Sequence, residues 1–81
     1  MVDDLILYIA RKIVDKPEEV VLSRETRDRE TVWKLAVDDE DLGKIIGRKG
    51  RVIRALRVVA NACAHVEGKM IHLEVEGKSP Q

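Results

Sequence analysis

One stretch holds side chains whose types and spacing could do chemistry: Ile45-Ile46-Gly47-Arg48-Lys49-Gly50-Arg51-Val52-Ile53. Two glycines bracket two cations. Gly47 can end a helix with a backbone conformation that a Cβ would resist. Gly50 allows another chain to approach the backbone closely. Arg48 and Lys49 cannot both be buried and must project into water. The helix expected to follow begins with N–H groups that lack intrahelical partners. Such a terminus, flanked by glycines and cations, attracts a phosphate. The chemistry expected here is therefore binding of an anionic backbone. Covalent chemistry lacks the parts: no nucleophile–base pair stands out, and after Gly50 come Arg51 and Val52, where a P-loop would need its lysine and hydroxyl.

Charge is distributed to match. The 81-residue chain balances 15 basic against 15 acidic residues. Yet between Leu42 and Val66 there is no acidic residue, while Lys44, Arg48, Lys49, Arg51, Arg54 and Arg57 all fall there. The rest of the chain is correspondingly acidic, so the molecule is dipolar with its positive end at the glycines. Only Tyr8 and Trp33 are aromatic, which excludes a nucleic-acid surface built of stacked rings. Cys63 is the only cysteine, which excludes a disulfide framework and a cysteine zinc site. No apolar run approaches the ~20 residues of a membrane span. Asp3 and Asp4 stand where a signal peptide would carry lysines. A cytoplasmic protein with no membrane partner is expected.

The elements that must position the loop can be read in chain order. Val2, Leu5, Ile6, Ile9 and Ile13 recur at helical steps, predicting a helix over 2–14 that Pro17 stops. Val20 to Thr26 alternates as a strand, with Val20 and Leu22 on one face. Thr31 to Val37 is a second strand, with Trp33, Leu35 and Val37 on one face, and the charged turn Arg27-Asp28-Arg29-Glu30 makes the pair an antiparallel hairpin. Trp33 could stack on a base, but a single Trp in an alternating strand reads better as core. Asp38-Asp39-Glu40-Asp41 could suggest a metal; helix capping at the start of a short helix over 40–46 explains it better. A longer helix over 51–65 buries Val52, Leu56, Val59, Ala60 and Cys63, with Ile53 beside them, and carries Arg51, Arg54 and Arg57 on another side. A turn at Glu67-Gly68-Lys69 leads to a last strand over 70–76, with Ile71, Leu73 and Val75 inward. His65 and His72 have too few partners for zinc or catalysis. Residues 1–76 form one domain, and 77–81 are expected to be a flexible tail.

Gly47-Arg48-Lys49-Gly50, with Leu42, Lys44, Ile45 and Ile46 before it and Val52, Ile53 and Leu56 after, resembles the GxxG signature of a KH domain. The N-terminal run Leu5 to Val14, the segment Asp15 to Val20, and the length are similar to the KhpA family of small stand-alone bacterial KH proteins. The resemblance implies an α+β type II KH fold, in the order α-β-β-α-(GxxG)-α-β, with a three-stranded mixed sheet and helices on one face. It also implies no enzyme and no cofactor, but a clamp of about four nucleotides of single-stranded RNA. Gly47, Arg48, Lys49 and Gly50 would hold the backbone, Ile45, Ile46 and Ile53 would floor the bases, and Arg51 and Arg54 would add charge. Implied partners are a KhpB-like RNA-binding protein (also called Jag or EloR) and a second copy of the chain. Implied roles are RNA chaperoning and control of cell elongation and peptidoglycan homeostasis. Single-stranded DNA binding, a duplex-reading helix-turn-helix around Gly47, and a dimerisation adaptor with a silent loop are the competing readings.

Overall fold

The computed structural model describes residues 2–28, 30–66, 68 and 70–79. Helix α1 (Val2–Ile13) opens the chain and is followed by a 3-10 turn at Pro17–Glu19. Strands β1 (Val21–Arg27) and β2 (Glu30–Val37) come next, then a 3-10 turn at Asp39–Asp41 leading directly into the short helix α2 (Leu42–Ile46). The loop Arg48–Gly50 joins it to the long helix α3 (Arg51–Val66), and β3 (Ile71–Gly77) closes the fold.

The sheet order is β1-β2-β3. β1 and β2 are antiparallel, with Leu22 opposite Leu35 and Arg24 opposite Trp33. β3 returns through the two-helix crossover to lie parallel to β2, with Trp33 opposite Leu73. This is the mixed three-stranded sheet and α+β type II KH order expected from the sequence.

Residues paired across strands share a face. Val20, Leu35, Val37, Ile71 and Leu73 are buried against the helices, and Leu22, Trp33 and Val75 pack at the margin of the same core. Trp33 is half-buried, with the Arg24 guanidinium 5.6 Å from its ring centroid and its indole N–H shut in without an acceptor. It is a core residue capped by a cation, and offers no open stacking platform. The opposite sheet face carries a lattice of surface ion pairs: Glu25 with Arg27 at 2.8 Å and Lys34 at 3.3 Å, Glu74 with Arg27 at 3.8 Å, and Glu30 with His72 at 2.9 Å. Beneath it lies Val32, 95% removed from solvent on the side expected to be open. Its cross-strand neighbours on that face are Glu25 and His72, whose aliphatic and ring portions are the groups placed to shield it.

The helix stripes are rotated from the expected ones. On α1 the most deeply set residues are Val2, Ile6 and Ala10, with Ile9 and Ile13 at the margin. On α3 they are Ile53, Leu56, Ala60 and Ala64. Val59, expected in the stripe, is instead exposed. Ala60 is fully buried, as expected. Alanine is weakly apolar, so a hydropathy pattern can pass over it, as at Ala10 and Ala64, which are nonetheless buried because a small side chain lets a neighbouring element come close.

The acidic run is divided among separate tasks. The Asp38 carboxylate accepts the Glu40 N–H at 3.1 Å and caps the 3-10 turn. Asp41, 99% buried, accepts the N–H groups of Asp15 at 3.1 Å and Lys16 at 3.0 Å. It thereby ties the end of α1 to the start of α2, and an ion pair between Lys44 and Asp15 reinforces the joint. Asp39 accepts the Ser79 N–H at 3.1 Å, and hydrogen bonding from the Ser79 side chain, then from its main chain, lowers the carboxyl pKa. The Lys78 N–H donates to Val37 at 2.9 Å. Gly77 to Ser79, expected to be part of a loose tail, are thus strand or tied to β2 and the acidic turn, because the sheet ladder continues past the last apolar residue. Pro80 and Gln81 of that tail, Arg29 of the hairpin turn, and Glu67 and Lys69 of the last turn lie outside the described residues.

Candidate nucleic-acid interface

The loop conformation follows from its sequence. The Gly47 N–H donates to Gly43 at 2.9 Å and finishes α2, and Gly47 itself turns with φ 75°. A Cβ here would stand 2.4 Å from Val52 Cγ2 and 2.9 Å from the Val52 backbone nitrogen. No side chain fits without moving backbone, so both space and dihedral require glycine. Gly50, with φ 73°, differs: a Cβ would meet only Ile53 Cγ2, at 3.8 Å. Its outer side is open, as close approach of another chain would need. Between them Lys49 holds a left-handed conformation, φ 55° and ψ 25°. A lysine there stores about 1 kcal/mol or more of backbone strain, of the kind that gathers at binding sites.

The bend is not sealed. Arg48 and Lys49 are exposed, and no other segment among the described residues covers them. The Gly50 N–H donates to Gly47 at 3.1 Å, and the Arg51 N–H to Arg48. Two exposed cations therefore stand at the head of α3, where the helix dipole also favours an anion.

Ion pairing of the cations is uneven along the chain. Lys16, Arg27, Lys34, Lys44 and Lys78 each stand within ion-pair distance of a carboxylate. Among the described residues no carboxylate lies that close to Arg48, Lys49, Arg51, Arg54 or Arg57. Arg11, Lys12 and Arg24 likewise lack a carboxylate that close among the described residues, with Lys12 and Arg24 lying over the Tyr8 and Trp33 rings.

The structure sorts the residues that sequence reasoning had grouped. Gly47, Arg48, Lys49 and Gly50 come together as one open bend. Arg51 is exposed and leans along an apolar furrow of about 300 Å³ formed with Ile9, Ile13, Val52, Ala55 and Val59. Arg54 folds back on the bend, donating from Nη2 to the Lys49 carbonyl at 2.8 Å and from Nε to the Gly50 carbonyl at 3.2 Å. It braces the strained backbone as well as adding charge. Of the three isoleucines expected to floor the bases, Ile45 is fully buried and Ile53 is 6% exposed, whereas Ile46 reaches the surface. Of the three, only Ile46 has a side chain at the surface.

Two residues went unassigned in the sequence. Arg57 Nε donates to the Leu73 carbonyl at 3.0 Å, and Asn61 Oδ1 accepts the Ile71 N–H at 3.2 Å. Both reach from α3 to the outer edge of β3. Their signal was weak: Arg57 continues the three-residue spacing of Arg51 and Arg54, and Asn61 follows one turn later.

Among the described residues no group of side chains could hold a metal, and no helix is long and apolar enough to cross a membrane. Residues 3–75 match the model of the KhpA/KhpB KH domain. The chain is 40% identical over 73 residues to the RNA-binding protein KhpA of Listeria monocytogenes, covering 90% of this chain and 96% of that protein. It is 41% identical over 75 residues to the RNA-binding protein KhpA of Treponema pallidum, covering 93% and 94%. In fold it resembles part of a crystal structure of Aquifex aeolicus Era, with a TM-score of 0.64 at 17% identity, over 94% of this chain and 29% of that one.

Proposed function

Because this chain belongs to the KhpA/KhpB KH-domain family, we propose that it binds single-stranded RNA at the bend Gly47-Arg48-Lys49-Gly50 and performs no catalysis. One observation carries the reading: the exposed bend gathers Arg48, Lys49 and Arg51 with no carboxylate within ion-pair distance among the described residues, whereas Lys16, Arg27, Lys34 and Lys78 are paired. Phosphates approach Gly50 and the amides of Arg48 and Lys49, and the two side chains and Arg51 add attraction that salt weakens. Ile46 touches a base. Backbone contacts of this kind hold a strand without reading it, over about four nucleotides. The N-terminal aspartates and charged sheet face repel the strand elsewhere and so orient it.

Such a footprint binds weakly alone, and the reading includes a KhpB-like RNA-binding protein or a second copy that multiplies affinity through effective concentration. The exposed apolar residues Val59, Val58 and Tyr8 support a protein contact away from the bend. The family resemblance extends the reading to an RNA chaperone of the cytoplasm that acts in cell elongation and peptidoglycan homeostasis. Replacing Arg48 and Lys49 together by Asp should abolish binding of a single-stranded RNA octamer in fluorescence anisotropy, with the circular dichroism spectrum unchanged. Unaltered RNA affinity in that folded variant would place the ligand elsewhere. A DNA octamer and a duplex, measured alongside, separate the single-stranded DNA and helix-turn-helix alternatives.

A further inference from the structure

We propose that Arg54 is a positioning residue: it holds the bend in its RNA-binding shape before RNA arrives, and does not itself grip a phosphate. The inference rests on the RNA-binding reading and deepens it. Its starting point is Lys49, which lies between the two cations' flanking glycines with φ 55° and ψ 25°. A residue with a Cβ disfavours this left-handed region by roughly five- to thirtyfold relative to the right-handed one. Unless something opposes that bias, the loop spends most of its time in other shapes. Apparent affinity then falls in proportion to the fraction of the loop that is competent.

The hydrogen bonds of the turn itself pass Lys49 by. The Gly50 N–H donates to Gly47 at 3.1 Å, and the Arg51 N–H to Arg48. Arg54 supplies the missing hold. Its Nη2 donates to the Lys49 carbonyl at 2.8 Å and its Nε to the Gly50 carbonyl at 3.2 Å. The direction of the Lys49 carbonyl is set by the ψ of that residue, so a donor rooted in α3 that holds this carbonyl holds the dihedral. The same contact has an electrostatic consequence. Carbonyl oxygens are partially negative, and left bare beside an anion site they would oppose a phosphate; the guanidinium covers two of them. Among the described residues no carboxylate lies within ion-pair distance of Arg54, so none competes with the loop for it. A lysine at this place would keep the charge but has no planar fork to span two carbonyls.

The test is a double-mutant cycle read by fluorescence anisotropy with a uridine RNA octamer. Arg54→Lys should weaken binding about fivefold, the low end of the left-handed bias. The slope of log K against log salt should stay unchanged, because no phosphate contact is lost. Glycine adopts the left-handed conformation freely, so in a Lys49→Gly background the same Arg54→Lys change should alter affinity by less than about twofold. The NMR coupling constant that reports the Lys49 φ should move away from its left-handed value in Arg54→Lys alone. Arg54 is exposed, so these variants should fold, and circular dichroism checks that they do. Unaltered RNA affinity in Arg54→Lys, even with a lowered melting temperature, would overturn the assignment. So would a slope shallower by about 0.7 in Arg54→Ala, the mark of a direct phosphate contact, or a loss that persists undiminished beside Lys49→Gly. Each of these leaves RNA binding standing. Failure of the wild-type chain to bind the octamer would overturn the RNA-binding reading, and this assignment with it.

Discussion

Replacing Arg48 and Lys49 by Ala should change the salt dependence of RNA binding more tellingly than the affinity at any one salt concentration. Three exposed cations without carboxylate partners stand at the bend, Arg48, Lys49 and Arg51, with Arg54 held against the loop carbonyls behind them. Each phosphate neutralised on a single strand contributes about −0.7 to the slope of log K against log salt, so three to four contacts give a slope of about −2 to −3. Between 50 and 200 mM salt the wild-type chain should then lose roughly twenty- to fifty-fold in affinity. The double alanine variant should have a slope shallower by about 1.4, and without the Arg54 contribution should lose only about two- to threefold over the same range. Anisotropy titrations of one RNA octamer at four salt concentrations measure both slopes, and circular dichroism with a thermal melt verifies the fold. An unchanged slope in a folded double variant would refute the argument, because it would mean that the phosphates sit on other cations.

Three further outcomes follow from the geometry. Gly47→Ala, which meets Val52 backbone at 2.9 Å with φ 75°, should cost more than about 2 kcal/mol. Gly50→Ala, with φ 73° but open space, should cost only about 1 kcal/mol, so melting temperatures should separate the two by several degrees. Asp41→Ala leaves the N–H groups of Asp15 and Lys16 without their buried acceptor and should cost about 1–3 kcal/mol for each. Asp41→Asn, which keeps one acceptor oxygen, should be milder in urea denaturation. Hydrogen bonds from Arg27, then Lys34, hold the Glu25 pKa down at about 2. A depressed carboxylate contributes stability above its unfolded value, roughly 4.3, and loses it as pH falls through the folded one. Relative to Glu25→Gln, the wild-type chain should therefore lose stability between about pH 4.5 and pH 2, and parallel acid denaturation curves would contradict this. Because the pair is solvent-exposed, the difference should shrink in high salt.

Much of this protein was legible in its residues. Alternation and three-to-four spacing placed six elements in order, and two glycines around two cations marked the bend, because backbone preference and hydropathy are local properties. The stretch from Leu42 to Val66, empty of acidic residues, located the positive end without coordinates. Other features required the tertiary structure. Burial of Ala10 and Ala64, and the exposure of Val59, depended on how closely the helices approach, which hydropathy does not encode. Asp41 looked like one cap in a run of four carboxylates, and its real partners lie 25 and 26 residues earlier in the chain. Arg54 and Arg57 have the same side chain and adjacent places in one spacing. One folds onto the loop, and the other reaches a strand edge that only the parallel return of β3 brings alongside α3. Sequence determines which groups the chain carries and how each segment bends; which of those groups stay free for a ligand is decided by long-range neighbours, since a charge or a carbonyl is available only if packing has not already satisfied it.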